Sequence, residues 1–191
     1  MNVDSKLHTA LSPQQLVELF HDRDIHQPKR RLDVIPYDKI INTDDIIDTL
    51  FSRNPFCVVF YPAAQANNTT FGHFVALCHD EHHKTVYFYD PLGYLPDEYK
   101  KFADKRLYSE HQNSLVRHML NLLGENYSID FNHHQHQSRQ PEIATCGRHS
   151  VLRCLYHTLT NERYHKLLKA YQKLVKMRPS KLKDNLVVKL T

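Results

Sequence analysis

Cys146 stands where a polar, Gln- and His-rich stretch gives way to helical spacing at Val151, Cys154, Leu155 and Thr158. A thiol at a helix N-terminus faces the positive end of the helix dipole, which favours the thiolate, the nucleophilic form. Gly147 beside it would let a substrate backbone approach closely. The plainer alternative is a buried packing thiol. His73, between Gly72 and Phe74, enters one apolar run, and Asp90, seventeen residues on, ends another just before Pro91. In an antiparallel hairpin the start of one strand lies beside the end of the next, so these two residues are neighbours. An Asp beside an imidazole fixes its tautomer and stabilises the imidazolium, which in turn stabilises a thiolate. The alternative is a hydrogen-bonded corner, with Asp90-Pro91 as turn chemistry. Gln140 lies six residues before Cys146. Its amide could help the Cys146 N–H to bind an oxyanion. Gln135 and Gln137 compete for that role, and a solvated loop glutamine is the ordinary account of any of the three.

These side chains need strands and a helix to meet. Phe56 to Tyr61, Phe74 to Cys78 and Thr85 to Tyr89 are short runs rich in Val, Phe and Tyr, and read as strands. The polar turn from Asp80 to Lys84 joins the second and third as an antiparallel pair. Tyr127 to Phe131 predicts a further strand, and Asn132 to Thr145 a loop. Ser12-Pro13-Gln14-Gln15 reads as a helix start. Thr43-Asp44-Asp45 opens a short helix, and Ser109 with Gln112 caps another that stops at Gly124. His26 to Asp38 reads as a polar, basic loop. Tyr164, Leu167, Leu168, Tyr171, Leu174 and Val175 form an amphipathic stripe, ended by Pro179. Together these elements predict an α+β fold in one domain, with no internal repeat.

Of 191 residues, 41% are hydrophobic and 24% charged, ordinary for a globular chain. No apolar run approaches the ~18 residues of a membrane span. Met1 to Leu11 lacks the apolar centre of a secretory signal. An intracellular or particle-borne protein is therefore expected, with Cys57, Cys78, Cys146 and Cys154 as free thiols. Two histidine groups could ligate metal by residue type: Cys78-His79 with His82-His83, and His133-His134 with His136. The first lies on a strand end and turn, where successive side chains diverge. The second has no paired cysteine spacing. Exposed His-rich turns are expected instead, with no metal or other cofactor. Arg163, Lys166, Lys169, Lys173, Lys176, Arg178, Lys181 and Lys183 follow one another with no acid between them. They read as a solvated helix face or as a surface for an anionic partner such as DNA.

Strand-borne His, strand-end Asp, loop Gln and then Cys at a helix start resemble the adenain-like and SUMO- or ubiquitin-like-protein-specific cysteine proteases. Papain itself runs Cys, His, Asn. The matching residues are Gly72-His73-Phe74, Tyr89-Asp90-Pro91-Leu92-Gly93, Gln140 and Thr145-Cys146-Gly147, within a span from Phe56 to Leu159. The run 145–150, Thr-Cys-Gly-Arg-His-Ser, is similar to homologues in large DNA viruses and related mobile elements. The family usually has Trp after the His. Here Phe74 takes that place, which keeps the cover over the His aromatic.

The resemblance implies a rearranged papain-like fold: a small, mostly antiparallel sheet packed with helices, and the nucleophile at a helix N-terminus. It divides the chain 1–191 into an N-terminal helical and loop extension (1–55), a catalytic core (56–159), and a C-terminal amphipathic helix and tail (160–191). His73 would be the general base, Asp90 its orienting group, Cys146 the nucleophile, and Gln140 with the Cys146 amide the oxyanion hole. The implied activity is that of a cysteine endopeptidase processing structural precursors at Gly-containing sites during virion maturation, in host cytoplasm, nucleus or particle. An isopeptidase acting on ubiquitin or SUMO conjugates is the rival enzyme. A non-catalytic nucleic-acid or protein-binding module is the rival from another class. The polypeptide substrate is the expected partner, and the family's use of DNA as an activator adds DNA contact through the basic C-terminal helix.

Overall fold

The three apolar runs in the middle of the chain become the centre of a five-stranded sheet. The computed structural model describes residues 3–24, 30–66, 69–108, 115–177 and 183–191. Its strands are β1 (Val34–Pro36), β2 (Phe56–Ala66), β3 (Thr69–Asp80), β4 (Thr85–Tyr89) and β5 (Ser128–Phe131), in the order β1-β2-β3-β4-β5. The pairings β2–β3 and β3–β4 are antiparallel and carry most of the register. The short outer pairings, β1–β2 and β4–β5, are parallel. The helices are α1 (Val3–Leu7), α2 (Pro13–Arg23), α3 (Tyr37–Ile41), α4 (Ile46–Phe51), α5 (Leu115–Leu123), α6 (Cys146–Leu155), α7 (Asn161–Leu174) and α8 (Asp184–Leu190).

Strands covered on both faces read as continuous apolar runs rather than alternating ones. Phe56, Val58, Phe74, Ala76 and Cys78 pack on Leu16 and Phe20 of α2, Val151 and Cys154 of α6, Tyr164 and Leu168 of α7, and Leu186 and Val187 of α8. On the other face Cys57, Val59, Tyr61, Val75 and Leu77 meet Tyr37 and Ile40 of α3, Ile46 and Leu50 of α4, and Leu115 and Met119 of α5. The chain is thus α+β, with a small sheet packed between helices.

Local chemistry sets several helix starts. Ser12 Oγ accepts from the Gln15 N–H while Gln15 Oε1 accepts from the Ser12 N–H, a reciprocal box with Pro13 in the first turn of α2. Asp45 caps α4 and Thr160 caps α7. The expected Ser109 and Gln112 cap and the Pro179 stop lie outside the described residues. α6 ends at Leu155, short of Thr158, the last residue in its helical spacing; beyond that end the buried Arg153 guanidinium donates to the carbonyls of Tyr156 (2.9 Å) and Leu159 (2.7 Å).

Three expectations fail for tertiary reasons. Part of the expected 26–38 loop is β1 and the start of α3, where Ile35, Tyr37, Ile40 and Ile41 gain apolar partners. The expected tail contains α8, whose Leu186, Val187 and Val188 are buried. The apolar stripe of α7 is buried at Tyr164 and Leu168, but Leu174 is 74% exposed. Arg163, Lys166, Lys169, Lys173 and Lys176 are exposed. Lys183, counted with them from sequence, is 1% exposed and donates through Nζ to Gln172 Oε1 at 2.6 Å.

Gly72 pairs with Pro62 beside a bulge between Pro62 and Ala64, one residue before His73. A Cβ built at Gly72 would lie 2.1 Å from the Tyr61 carbonyl oxygen and 2.6 Å from the Phe60 ring. Backbone in a paired strand cannot yield without losing ladder bonds. Gly72→Ala should therefore destabilise the fold by about 1–3 kcal/mol in urea unfolding. An unchanged unfolding midpoint would refute this account of the strand.

Candidate active site

The β3–β4 register pairs Ala76 with Tyr89, so Asp90 follows on the face that carries Val75 and His73. Asp90 is fixed by a tight turn: its Oδ1 accepts from the Leu92 N–H (2.7 Å) and its carbonyl from the Gly93 N–H (2.9 Å). Gly93 has φ +73°, where a side chain is strained, and a Cβ there would lie 3.1 Å from the Gln135 nitrogen. Asn132 Nδ2 also donates to the Asp90 carbonyl (2.8 Å), tying the end of β5 to the turn. The carboxylate is thereby aimed at His73, whose Nε2 lies 2.9 Å from Asp90 Oδ1, and each residue is 2% exposed. The Tyr99 ring, from a 3-10 helix at Glu98–Phe102, stacks on the His73 ring at 4.4 Å and 26°.

With Nε2 on Asp90, Nδ1 of His73 is left for Cys146, which lies near enough to act on the ring. Burial alone would lower the His73 pKa. The Asp90 charge and hydrogen bond, then the hydrogen bond and charge of Cys146, outweigh it and raise the value to about 10. Cys146 is the first residue of α6 and is half-buried. Its N–H is one of the unpaired donors of a helix start, directed outward with the positive end of the dipole. The other three cysteines, all among the described residues, are buried, and burial pushes the Cys57 and Cys154 thiols well up.

α6 reaches His73 because it lies close against β3. Ser150 Oγ donates to the Phe74 carbonyl at 3.1 Å, beyond the point where β4 stops pairing. Gly147 is buried, and a Cβ there would meet Leu16 Cδ2 at 2.6 Å and the Phe74 ring at 3.4 Å. Its missing side chain thus serves helix packing, where the sequence suggested substrate approach. Phe74 likewise does not cover His73. Adjacent strand residues face opposite ways, and Phe74 packs on Phe60 at 4.9 Å in the core. The cover is aromatic, but it is Tyr99, distant in sequence and outside any periodic run. Beyond it the exposed Phe102 stacks on Tyr94 at 5.6 Å, and the Arg139 guanidinium lies 4.4 Å from the Tyr94 ring centre.

The three candidate glutamines fall in different settings. Gln135 Nε2 donates to the Gln137 carbonyl (2.8 Å), and the buried Gln137 donates to the Ile143 carbonyl (3.2 Å). Both amides shape the loop. The Gln140 backbone is held by Ser138 Oγ and by the Ile143 N–H, while its side chain is exposed. Tyr99, Asn132, Thr145 and Asp184 are site neighbours that sequence reasoning missed. Among them only Thr145 stood in a recognised motif.

No family model matches the chain, and no curated protein matches it. Among solved structures the chain is similar to ChlaDub1 from Chlamydia trachomatis, with 11% identity over 94% of this chain and 84% of that one. The TM-score is 0.27, too loose a superposition to bear on shared chemistry. No helix among the described residues is long and apolar enough to cross a membrane.

The histidines divide. His82 and His83 are exposed on their turn, as expected. His136 is buried, contrary to expectation, because its loop is pressed between β4 and α7 partners: Nδ1 meets Tyr89 Oη at 2.9 Å and Nε2 meets His165 Nδ1 at 2.8 Å. His134 stacks on His165 at 3.6 Å. Among the described residues no three His, Cys, Asp or Glu side chains converge as a metal site. Burial, then the charges of His149, His165, His134 and Lys183, push His136 down to about 2. Burial, His134, Lys169 and Lys183 push His165 to about 4 against the pull of Glu162. The folded protein therefore binds fewer protons at these sites than the unfolded chain, whose ordinary value is 6.5. Their contribution to stability is complete above that value and is lost as pH falls below it. His73 runs oppositely: its raised value stabilises below 6.5 and that stabilisation is lost as pH rises through about 10. His165→Gln should therefore lose less stability than the parent between about pH 7.5 and 5.5, read by urea unfolding. Equal losses in the two proteins would refute the buried-neutral assignment.

Proposed function

We propose that the protein is a cysteine protease that hydrolyses peptide bonds in polypeptide substrates. The observation that supports this above all is the buried His73–Asp90 pair at 2.9 Å, with the half-buried Cys146 thiol at the start of α6 near enough to act on the His73 ring. The order and spacing of these residues, resembling adenain-like and ubiquitin-like-protein-specific proteases, add to it.

In this reading Cys146 transfers its thiol proton to His73 Nδ1, and the thiolate attacks the scissile carbonyl carbon. The carbonyl oxygen becomes an oxyanion held by the Cys146 N–H and by the Gln140 amide. Gln140 is favoured over Gln135 and Gln137 because their amides are already engaged within the loop. Collapse of the intermediate breaks the C–N bond, and His73 protonates the departing amine. His73 then takes a proton from water, whose oxygen attacks the thioester, releasing the acid and returning the proton to the sulfur. Asp90 keeps Nε2 protonated and Nδ1 facing the thiol throughout. The substrate by resemblance is a precursor protein cut beside Gly, as in particle maturation.

Cys146→Ala should abolish cleavage of Gly-containing peptides, and His73→Ala should slow it by roughly 10²–10⁴-fold. Alkylation by iodoacetamide at pH 6 should be faster in the parent than in His73→Ala, because only the parent has an imidazole to take the thiol proton. Undiminished turnover by Cys146→Ala ends this reading. Trapping of Cys146 by ubiquitin- or SUMO-based probes would move the substrate to modifier conjugates. Slow alkylation with no cleavage would favour a binding module.

A further inference from the structure

Behind the nucleophile a single buried carboxylate gathers three donors from two elements. Asp184, the first residue of α8, is 7% exposed. Its Oδ2 accepts from the Ser138 N–H at 2.8 Å, and its Oδ1 accepts from the Thr145 hydroxyl and from His149 Nε2 at 3.3 Å. Thr145 immediately precedes Cys146 and is fully buried. It occupies the cap position of α6, yet its hydroxyl does not cap the helix, because it is turned to Asp184. His149 lies one turn further on, and its N–H donates to the Thr145 carbonyl at 3.0 Å. Ser138 begins the loop segment that holds Gln140. One carboxylate thus grips the residue before the nucleophile, the turn after it, and the loop of the candidate oxyanion donor.

Anchoring of α8 does not depend on that carboxylate. The Lys183 N–H donates to the His136 carbonyl (2.5 Å), Lys183 Nζ to Gln172, and Arg23 Nη2 to the Thr191 carbonyl (2.9 Å). Leu186, Val187 and Val188 are buried besides. Packing alone would be met by an apolar residue at 184. A charge withdrawn from water is retained where several donors must be held in fixed directions. The hydrogen bonds with His149, Thr145 and Ser138, together with the His149 charge, keep the Asp184 carboxyl below its ordinary value despite burial.

We propose that Asp184 is a positioning residue for Cys146, acting through the Thr145 hydroxyl. This rests on the reading of Cys146 as a nucleophile. At the first position of a helix, the direction of the Cys146 sulfur and N–H follows from the backbone of Thr145. Slack there displaces both the attacking atom and an oxyanion donor while leaving the substrate-binding surface in place. Such displacement acts on kcat rather than KM.

The test compares Thr145→Val, which deletes the hydroxyl at constant shape, with Thr145→Ser, which keeps it, on a Gly-containing peptide. Thr145→Val should lower kcat by at least about tenfold with KM little changed, and Thr145→Ser should restore most of it. A merely structural role would not separate the two in kcat at temperatures where both are folded. Asp184→Asn, which keeps size but loses one acceptor, should fall with Thr145→Val and supplies the comparison if that variant does not fold. Parent-like kcat in Thr145→Val, or equal loss in Val and Ser variants, overturns the proposal while a dead Cys146→Ala leaves the protease reading standing. An active Cys146→Ala overturns both.

Discussion

An imidazole and a carboxylate are held together out of water at the end of a hairpin, and much of the molecule is arranged around that fact. Removing an ion of either kind from water costs several kcal/mol after relaxation. The cost is tolerable only if each polar atom is met. Asp90 Oδ1 is met by His73 and by the Leu92 N–H, and the Asp90 carbonyl by Gly93 and Asn132. Tyr99 closes the flat side of the imidazole without competing for its nitrogens. What remains is one ring nitrogen, and the fold brings a half-buried thiol to it.

The scaffold that does this is the close contact of α6 with β3. Two features permit that contact: a glycine at 147, which lets Leu16 and Phe74 come close, and a bond from Ser150 to a carbonyl that β4 no longer pairs. Both belong to packing, yet both decide where the sulfur sits. The helices on the opposite face of the sheet from α6 pack on Val75 and Tyr61, which flank His73 on its own face of the sheet. The C-terminal segment adds a second polar layer. It runs from Asp184 through Thr145 and His149 to Tyr89, and on to His136 and His165 near the surface.

Much of the scaffold was legible in the sequence. β4 was read with its observed bounds, and the capping box of α2 and the start of α6 were visible in local chemistry. So was the adjacency of His73 and Asp90, since a hairpin fixes which residues face each other. Less legible were elements with weak local signals. Val34 to Ile41 is apolar at Val34, Ile35, Tyr37, Ile40 and Ile41, but Pro36 and Asp38-Lys39 cut it into pieces too short to announce a strand and helix until β2 and α5 supply partners. α8 is a short run whose stability comes from burial of Leu186 and Val187. His136 was misjudged because polarity along a loop says nothing of what folds over it.

Residue types and spacing, by themselves, determined which atoms could do chemistry here: a thiol at a helix start, an imidazole and a carboxylate at facing ends of a hairpin, and a choice of amides. These follow from periodicity and turn chemistry, which act over a few residues. Only the tertiary structure decided that the ring over His73 is Tyr99, that two of three glutamines are spent on their own loop, and that Asp184 stands behind Cys146. Such contacts join residues tens of positions apart through packing, and no local preference along the chain encodes which distant surface will arrive.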